Sequence, residues 1–166
     1  VSLDETINSS LALLRNAPSD LFFTAVSASI VFAIVALLFY LWKKNFLVCS
    51  QIALGGAITY AIVEVLKQVV LRPRPDGSDS FSFPSSHAAL AFFLAFVIPV
   101  NKKYKMALLA WAVLVGFSRL WLGLHWFTDV LASAVIGIIV AYLIKQEYIK
   151  KEIEKTIKKI LERVRR

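Results

Sequence analysis

Three cations, Lys67, Arg74 and Arg119, both histidines of the chain, His87 and His125, and the carboxylate Asp129 stand out from a sequence that is otherwise largely apolar. Ionisable groups are expensive in such surroundings. At a bilayer centre a charge costs at least ~2.5–3.5 kcal/mol, so these residues are functional candidates by default. His125 and Asp129 have i, i+4 spacing, which on a helix puts them on one face about one turn apart. A carboxylate there can accept a hydrogen bond from one ring nitrogen, fix the tautomer and leave the other nitrogen as a nucleophile. Taken alone, the pair equally suits a packing histidine and a helix-capping aspartate. With only His87 to add, it makes a ligand-poor metal site. Lys67, Arg74 and Arg119 supply donors without an acceptor, which suits phosphate oxygens, the guanidinium groups bidentately. Singly, each also suits an interfacial anchor that reaches to lipid headgroups. Glu64, one turn before Lys67, is expected to be its ion-pair partner in a structural role. Pro84-Ser85-Ser86-His87 opens a helix, and free amides at a helix start beside two hydroxyls form an anion cradle. Ser85 or Ser86 as a plain N-cap is compatible with that use. His87 then lies close enough to pass a proton to a leaving oxygen.

The elements that must position these groups are apolar helices. The chain of 166 residues is 58% hydrophobic, above the roughly 45–50% of ordinary soluble domains. One domain is expected at this length. Five apolar segments, Leu21–Trp42, Phe46–Leu71, Ala88–Val100, Tyr104–Leu122 and Trp126–Lys145, predict a membrane bundle of about five helices, about 20 residues being enough to cross a hydrocarbon core of ~30 Å. Ala88–Val100 is short for a crossing unless it starts inside the membrane near Pro84. Gly55-Gly56 offers a close helix contact. Residues 1–20, with Leu3, Ile7, Leu11 and Leu14 at helical spacing, predict a short helix on the membrane surface, stopped near Pro18. The tail Glu147–Arg166 carries Ile149, Ile153, Ile157, Ile160 and Val164 on one stripe, the pattern of a basic amphipathic helix on the inner leaflet or of an oligomer contact. The expected organisation is therefore a transmembrane domain over 1–146 and an amphipathic helix over 147–166.

Helix parity places the site. Lys43-Lys44-Asn45 and Asn101–Lys105 are tight polar turns on one side, whereas the long Arg72–Ser86 loop and the turn at Gly123 fall on the other. All the singled-out residues then lie at helix ends on the second side. Most of the 19 Lys and Arg lie on the first side. By the positive-inside tendency that side, with the C-terminus, is cytoplasmic and the site faces outward. The net charge of +8 thus belongs to a membrane protein rather than a nucleic-acid binder, since the basic residues flank apolar runs. The lone Cys49 forms no internal disulfide and is expected as a small buried residue. The first twenty residues lack the basic start of a secretory signal peptide.

Lys67 with Arg74-Pro75, then Pro84-Ser85-Ser86-His87, then Ser118-Arg119 with His125 and Asp129 resemble, in order and over residues 67–129, the three signature motifs of the type 2 phosphatidic acid phosphatase (PAP2) superfamily. Ser86 stands where the family pattern has glycine, a departure that touches the local backbone contact to phosphate. Arg72-Pro73 is a second Arg-Pro at the wrong spacing. The resemblance implies an all-α core shared with vanadium haloperoxidases and a metal-independent hydrolase without a cofactor. In it His125 attacks phosphorus to give a phosphohistidine and Asp129 holds its ring. Lys67, Arg74, Arg119, Ser85 and Ser86 bind the phosphate oxygens, and His87 protonates the leaving group and then activates water. The implied substrate is a lipid phosphate or diphosphate, an undecaprenyl-type carrier first and phosphatidylglycerophosphate or phosphatidate second. A reading from another class is a non-enzymatic transporter or lipid binder whose cations only hold an anion. The sequence leaves oligomeric state open.

Overall fold

The computed structural model describes residues 2–164, with side chains described except at 32, 36, 39–44, 147, 148, 150, 161, 163 and 164. The expectations for Lys43, Lys44, Val164, Arg165 and Arg166 fall outside the described side chains. Seven helices run through the described residues: α1 Leu3–Leu14, α2 Ala17–Lys44, α3 Phe46–Val70, α4 Ser86–Val97, α5 Lys102–Trp121, α6 Phe127–Ile144 and α7 Glu147–Val164.

The short helix α4 is the centre of the bundle and packs against α6, α5 and α3. Its residues explain this placement. Ala88, Ala89, Ala91, Phe93, Leu94, Ala95 and Val97 are all buried, and a helix that is apolar all round belongs inside. Small residues on its neighbours admit it. A Cβ on Gly137 would come 2.2 Å from the Ala89 carbonyl oxygen, so α6 crosses α4 almost backbone to backbone. A Cβ on Gly55 would strike the Phe93 ring at 2.5 Å. The expected glycine contact thus falls at Gly55, where it seats the largest fully buried side chain of the core.

The five apolar segments are helices α2 to α6. Among the described residues three of them are long and apolar enough to cross a membrane: α2 over Ala17–Val35, α3 and α6. At 12 residues and ~1.5 Å per residue, α4 is too short to cross a ~30 Å core. The 20 residues of α5 carry Lys102, Lys103, Lys105 and Arg119 at their ends. α4 also begins at Ser86 and ends at Val97, shifted from the expected Ala88–Val100.

One expectation for the N-terminus changes. The break after α1 comes at Arg15, not at Pro18, which sits in the first turn of α2 where its missing N–H is no loss. Leu3 and Leu14 are largely exposed, while Asp4 is buried. The inward face of α1 runs through Asp4 and Leu11, and Leu11 packs on Ala88, Leu120 and Val130.

Hydrogen bonds between helix ends fix the antiparallel arrangement. At one end Gln51 of α3 donates to the Ile144 carbonyl of α6 at 3.2 Å, and Lys105 and Lys145 both donate to the Phe96 carbonyl. At the other end Lys67 meets Ser86, and the Ser85 amide donates to Ser133 Oγ at 2.7 Å. The expected gathering of the ends of α3 and α5 with the starts of α4 and α6 is what the structure has.

Candidate functional site

Lys67 lies in the last turn of α3, which Leu71 terminates in the left-handed conformation. Its ammonium donates to Glu64 Oε1 and to Ser86 Oγ, both at 2.8 Å. Glu64 is therefore the ion-pair partner read from the sequence, and the pair aims Lys67 at the start of α4. Ser85 is the N-cap there, accepting from the Ala88 amide, and its own amide is held by Ser133 Oγ. The first-turn amides at Ser86 and His87 lie beyond any intrahelical acceptor, as at every helix start.

The loop between α3 and α4 is knitted internally. The Arg74 amide donates to the Asp79 carbonyl at 2.9 Å and the Ser82 amide to the Arg72 carbonyl at 2.9 Å. Arg74 Nε donates to Asp79 Oδ1 at 2.7 Å. The Phe81 amide and the Arg74 guanidinium hold the Asp79 carboxyl below the usual carboxylate range. One edge of the Arg74 guanidinium is thus tethered.

His125 sits in the turn between α5 and α6, almost wholly buried. Its Nδ1 lies 2.6 Å from the Ser82 carbonyl oxygen. A carbonyl only accepts, so Nδ1 carries the proton and Nε2 keeps its lone pair. Burial, with Arg119 acting in the same direction, pushes His125 down to about 3 against the opposing pull of the Ser82 carbonyl. The ring is therefore a neutral imidazole with a free basic nitrogen at any ordinary pH.

Asp129, in the first turn of α6, corrects one expectation. Its carboxylate is 3.9 Å from His125 Nδ1, beyond hydrogen-bond range, and Ser82 takes the place assigned to it. Asp129 is instead fully buried among other donors: Arg72 Nη1 at 2.6 Å, the Trp126 amide at 2.8 Å and the Ser82 hydroxyl. The aspartate fixes the two segments that flank His125 rather than the ring itself. The i, i+4 rule fails because His125 lies before the helix, which starts at Phe127.

Arg119 ends α5 and is buried with 9% exposure. It donates to Ser27 Oγ of α2, while its Nε has no hydrogen-bond partner among the described residues. No carboxylate pairs with it among the described residues either, although its field, with those of Lys67 and Arg74, reaches both His87 and His125. A buried guanidinium without a counter-charge is unfavourable. Lys67, Arg74 and Arg119 thus lie close enough to both imidazoles for their charges to act on them. Among the described residues no three His, Cys, Asp or Glu side chains group so as to hold a metal ion.

Residue type and spacing do not single out Ser82, Ser133, Ser27, Trp126 or Asp4, and they give Arg72 no role. Ser27 and Ser133 carried an available signal, as hydroxyls inside apolar helices. Asp4, Ser82 and Trp126 act through backbone groups or distant partners, which spacing does not reveal.

A sequence model described as the PAP2 superfamily matches residues 46–152. Phosphatidylglycerophosphatase B of Bacillus subtilis is 37% identical over 99 residues, covering 49% of this chain and 49% of that protein. Undecaprenyl-diphosphatase BcrC of the same organism is 29% identical over 143 residues, covering 75% of this chain and 72% of the relative. This chain thus spans about half the length of the first relative. The crystal structure of Aquifex aeolicus LpxE superposes with a TM-score of 0.76 at 26% identity, covering 86% of this chain and 94% of that one. That of a transmembrane PAP2 type phosphatidylglycerolphosphate phosphatase from Bacillus subtilis gives 0.71 at 29% identity, covering 86% and 82%. With three helices apolar enough to cross a bilayer, this is an integral membrane protein.

Proposed function

The chain belongs to the PAP2 superfamily, and from that membership and the site geometry we propose that it is a metal-independent lipid phosphatase working through a phosphohistidine. The observation that carries the reading is the buried Arg119, whose Nε has no partner among the described residues, beside a neutral His125. In the first step His125 Nε2 attacks phosphorus and forms the N–P bond as the P–O bond to the leaving group breaks. Lys67, Arg74, Arg119 and the start of α4 at Ser85 and Ser86 stabilise the charge on the equatorial oxygens, the principal task in phosphoryl transfer. Burial and the cations Arg119, Lys67 and Arg74 hold His87 down to about 4 in the ligand-free protein, so the ring takes up its proton only as the phosphate charge arrives and then gives it to the leaving oxygen. In the second step His87 takes a proton from water as the water oxygen attacks phosphorus, the N–P bond breaks and inorganic phosphate leaves. Asp129 supports the turn that carries the nucleophile.

The substrate we favour is a polyprenyl diphosphate of the undecaprenyl type, the class named for the relative that this chain covers to 72% of its length. Phosphatidylglycerophosphate is the second reading, favoured by similarity to proteins of that name in both sequence and structure. An apolar cavity of about 390 Å³ between α2, α3 and α4, lined by Ile34, Leu38, Tyr60 and Leu90, offers room for a lipid tail. Lys102, Lys103, Lys105 and Lys145 lie at the bundle end opposite the site, which by the positive-inside tendency turns the site outward.

The test is phosphate release by the detergent-solubilised protein from a panel of lipid phosphates and diphosphates, in chelator, with His125→Ala as control. The expected result is turnover that vanadate inhibits and that His125→Ala abolishes. Retained hydrolysis in that variant rejects the nucleophile. Activity lost in chelator and restored by a divalent ion rejects the metal-independent route. A basic cage that binds anions without turnover leaves the non-enzymatic lipid binder standing.

A further inference from the structure

Arg72 takes no part in that mechanism, yet it touches the centre of the site. Its Nη1 donates to Asp129 Oδ1 at 2.6 Å and to Thr128 Oγ1 at 2.7 Å, and its Nη2 to Asp4 Oδ2 at 2.7 Å. The guanidinium carbon lies 5.5 Å from the centre of the Trp126 ring, within the range of a cation–π contact. Unlike Arg119, it has carboxylates on both of its terminal nitrogens. Its fork is filled by protein and is not an open phosphate site.

Asp4, on the other end of this bridge, belongs to α1. It accepts from the Thr128 amide at 3.0 Å and from the Thr128 hydroxyl at 2.6 Å, so a carboxylate from the N-terminal helix sits at the start of α6. That is where a negative charge is favoured by the helix dipole. Arg15, at the other end of α1, donates to the Leu122 carbonyl at 3.1 Å, in the turn that leads to His125. α1 is therefore bonded to both sides of that turn.

The consequence reaches the reacting nitrogen. Asp129 is fully buried, and Arg72 is the Lys or Arg that pairs with it among the described residues. Besides Arg72 it binds Ser82, whose carbonyl holds His125 Nδ1, and the amide of Trp126, the residue after His125. Removing the cation leaves a buried carboxylate without its counter-charge, and its displacement loosens both segments around the imidazole.

We propose that Asp4 and Arg72 form the positioning arm of the site: Asp4 fixes Arg72, Arg72 fixes Asp129, and Asp129 fixes the Ser82 and Trp126 segments that aim His125 at phosphorus. Through this arm α1 is part of the active centre. The inference rests on the reading of His125 as the nucleophile.

The experiment measures kcat and KM of the full chain in detergent on a polyprenyl diphosphate and on phosphatidylglycerophosphate. The variants are Arg72→Gln, Asp4→Asn, Asp129→Asn and the Arg72→Gln/Asp129→Asn double. Arg72→Gln is expected to lower kcat by roughly 10–100-fold with KM within about threefold, as for misplacement of a reacting group. Asp4→Asn is expected to lower kcat about 3–10-fold, and the double variant to fall no further than Asp129→Asn alone. A raised KM at unchanged kcat makes Arg72 a direct phosphate ligand and overturns the proposal. So do losses that multiply in the double variant, the mark of a separate structural effect. If Arg72→Gln does not yield folded protein, Asp4→Asn carries the same split between kcat and KM. An active wild type, an inactive His125→Ala and a normal Arg72→Gln reject the arm alone. A wild type that releases phosphate from no lipid rejects the arm together with the nucleophile.

Discussion

The two ends of α4 meet positive charge in opposite ways. At the C-terminal end Lys105 donates to the carbonyls of Ala95 at 2.6 Å, Ile98 at 2.8 Å and Phe96 at 3.4 Å. Lys145 adds a bond to the Phe96 carbonyl at 3.3 Å. Those acceptors are the orphan carbonyls of a helix terminus, and cations there also complement the dipole. At the N-terminal end Arg119 is buried with an idle Nε and no carboxylate partner among the described residues, next to helix amides that themselves favour an anion. One end is satisfied by backbone carbonyls, whereas the other leaves Arg119 Nε without a partner among the described residues. The cations at the far end are answered by backbone carbonyls, whereas Arg119 is answered among the described residues by the Ser27 hydroxyl alone.

The sharpest way to break this contrast is at Arg119. Arg119→Met is expected to lower turnover by roughly 10²–10³-fold, the usual cost of losing one donor to a developing oxyanion. Its melting temperature without ligand should stay level or rise, because removing an uncompensated buried charge relieves desolvation. Adding vanadate should then raise the melting temperature of the wild type and not of the variant, since only binding to the folded state stabilises. A large loss of ligand-free stability would mean that Arg119 is structurally satisfied, and the contrast between the two ends would fail.

A second test sharpens the contrast through pH. The imidazole of His125 is held down to about 3 by burial and by Arg119, whereas the unfolded chain takes up that proton near 6.5. A folded value below the unfolded one gives stability that is full above pH ~6.5 and is lost as pH falls toward 3. At pH 4.5 this one group removes roughly 2–3 kcal/mol, the slope being about 1.4 kcal/mol per pH unit. Thermal melts at pH 7 and 4.5 should therefore differ less in His125→Gln than in the wild type. Nitrogen NMR of the ligand-free protein should find His125 neutral, with the proton on Nδ1, throughout pH 5–8. A ring that titrates near 6.5 would contradict the buried, Ser82-bonded geometry.

How much of this was legible in the sequence differs between the two ends. At the site, residue type and spacing located Lys67, Arg74, His87, Arg119, His125 and Asp129, and helix parity brought them together, because apolar segments of crossing length leave few arrangements. Parity did not give partners. Asp129 was assigned to His125 from i, i+4 spacing, but the helix begins after the histidine, so Ser82 holds the ring and Arg72 holds the aspartate. Asp4 reached the site from more than a hundred residues away, by a tertiary contact that local pattern cannot encode. At the opposite end spacing predicts a polar turn over Asn101–Lys105, but α5 begins at Lys102 with Asn101 as its N-cap, and Lys105 reads there as one more interfacial lysine. Its carbonyl partners follow from where α4 stops, and the sequence placed that end three residues too late.

That misplaced boundary makes Lys105 the subtler test. α4 stops at Val97, so the Ala95, Phe96 and Ile98 carbonyls face Lys105 rather than a further turn of helix. Lys105→Met keeps an apolar stem of similar length and removes the ammonium, leaving part-buried carbonyls with fewer donors. A hydrogen bond to a charged group is worth roughly 1.5–3 kcal/mol, and water reaching this rim of the bundle recovers part of it, so a loss of about 1–2 kcal/mol is expected. In thermal melts that appears as a drop of several degrees. Turnover at permissive temperature should stay within about twofold, because Lys105 lies at the far end of α4 from both histidines and fixes no residue of the turn. A fall in kcat matching that of Arg119→Met would mean that the two ends of α4 are mechanically coupled, and that the basic cage depends on how the helix is tied down at its far terminus.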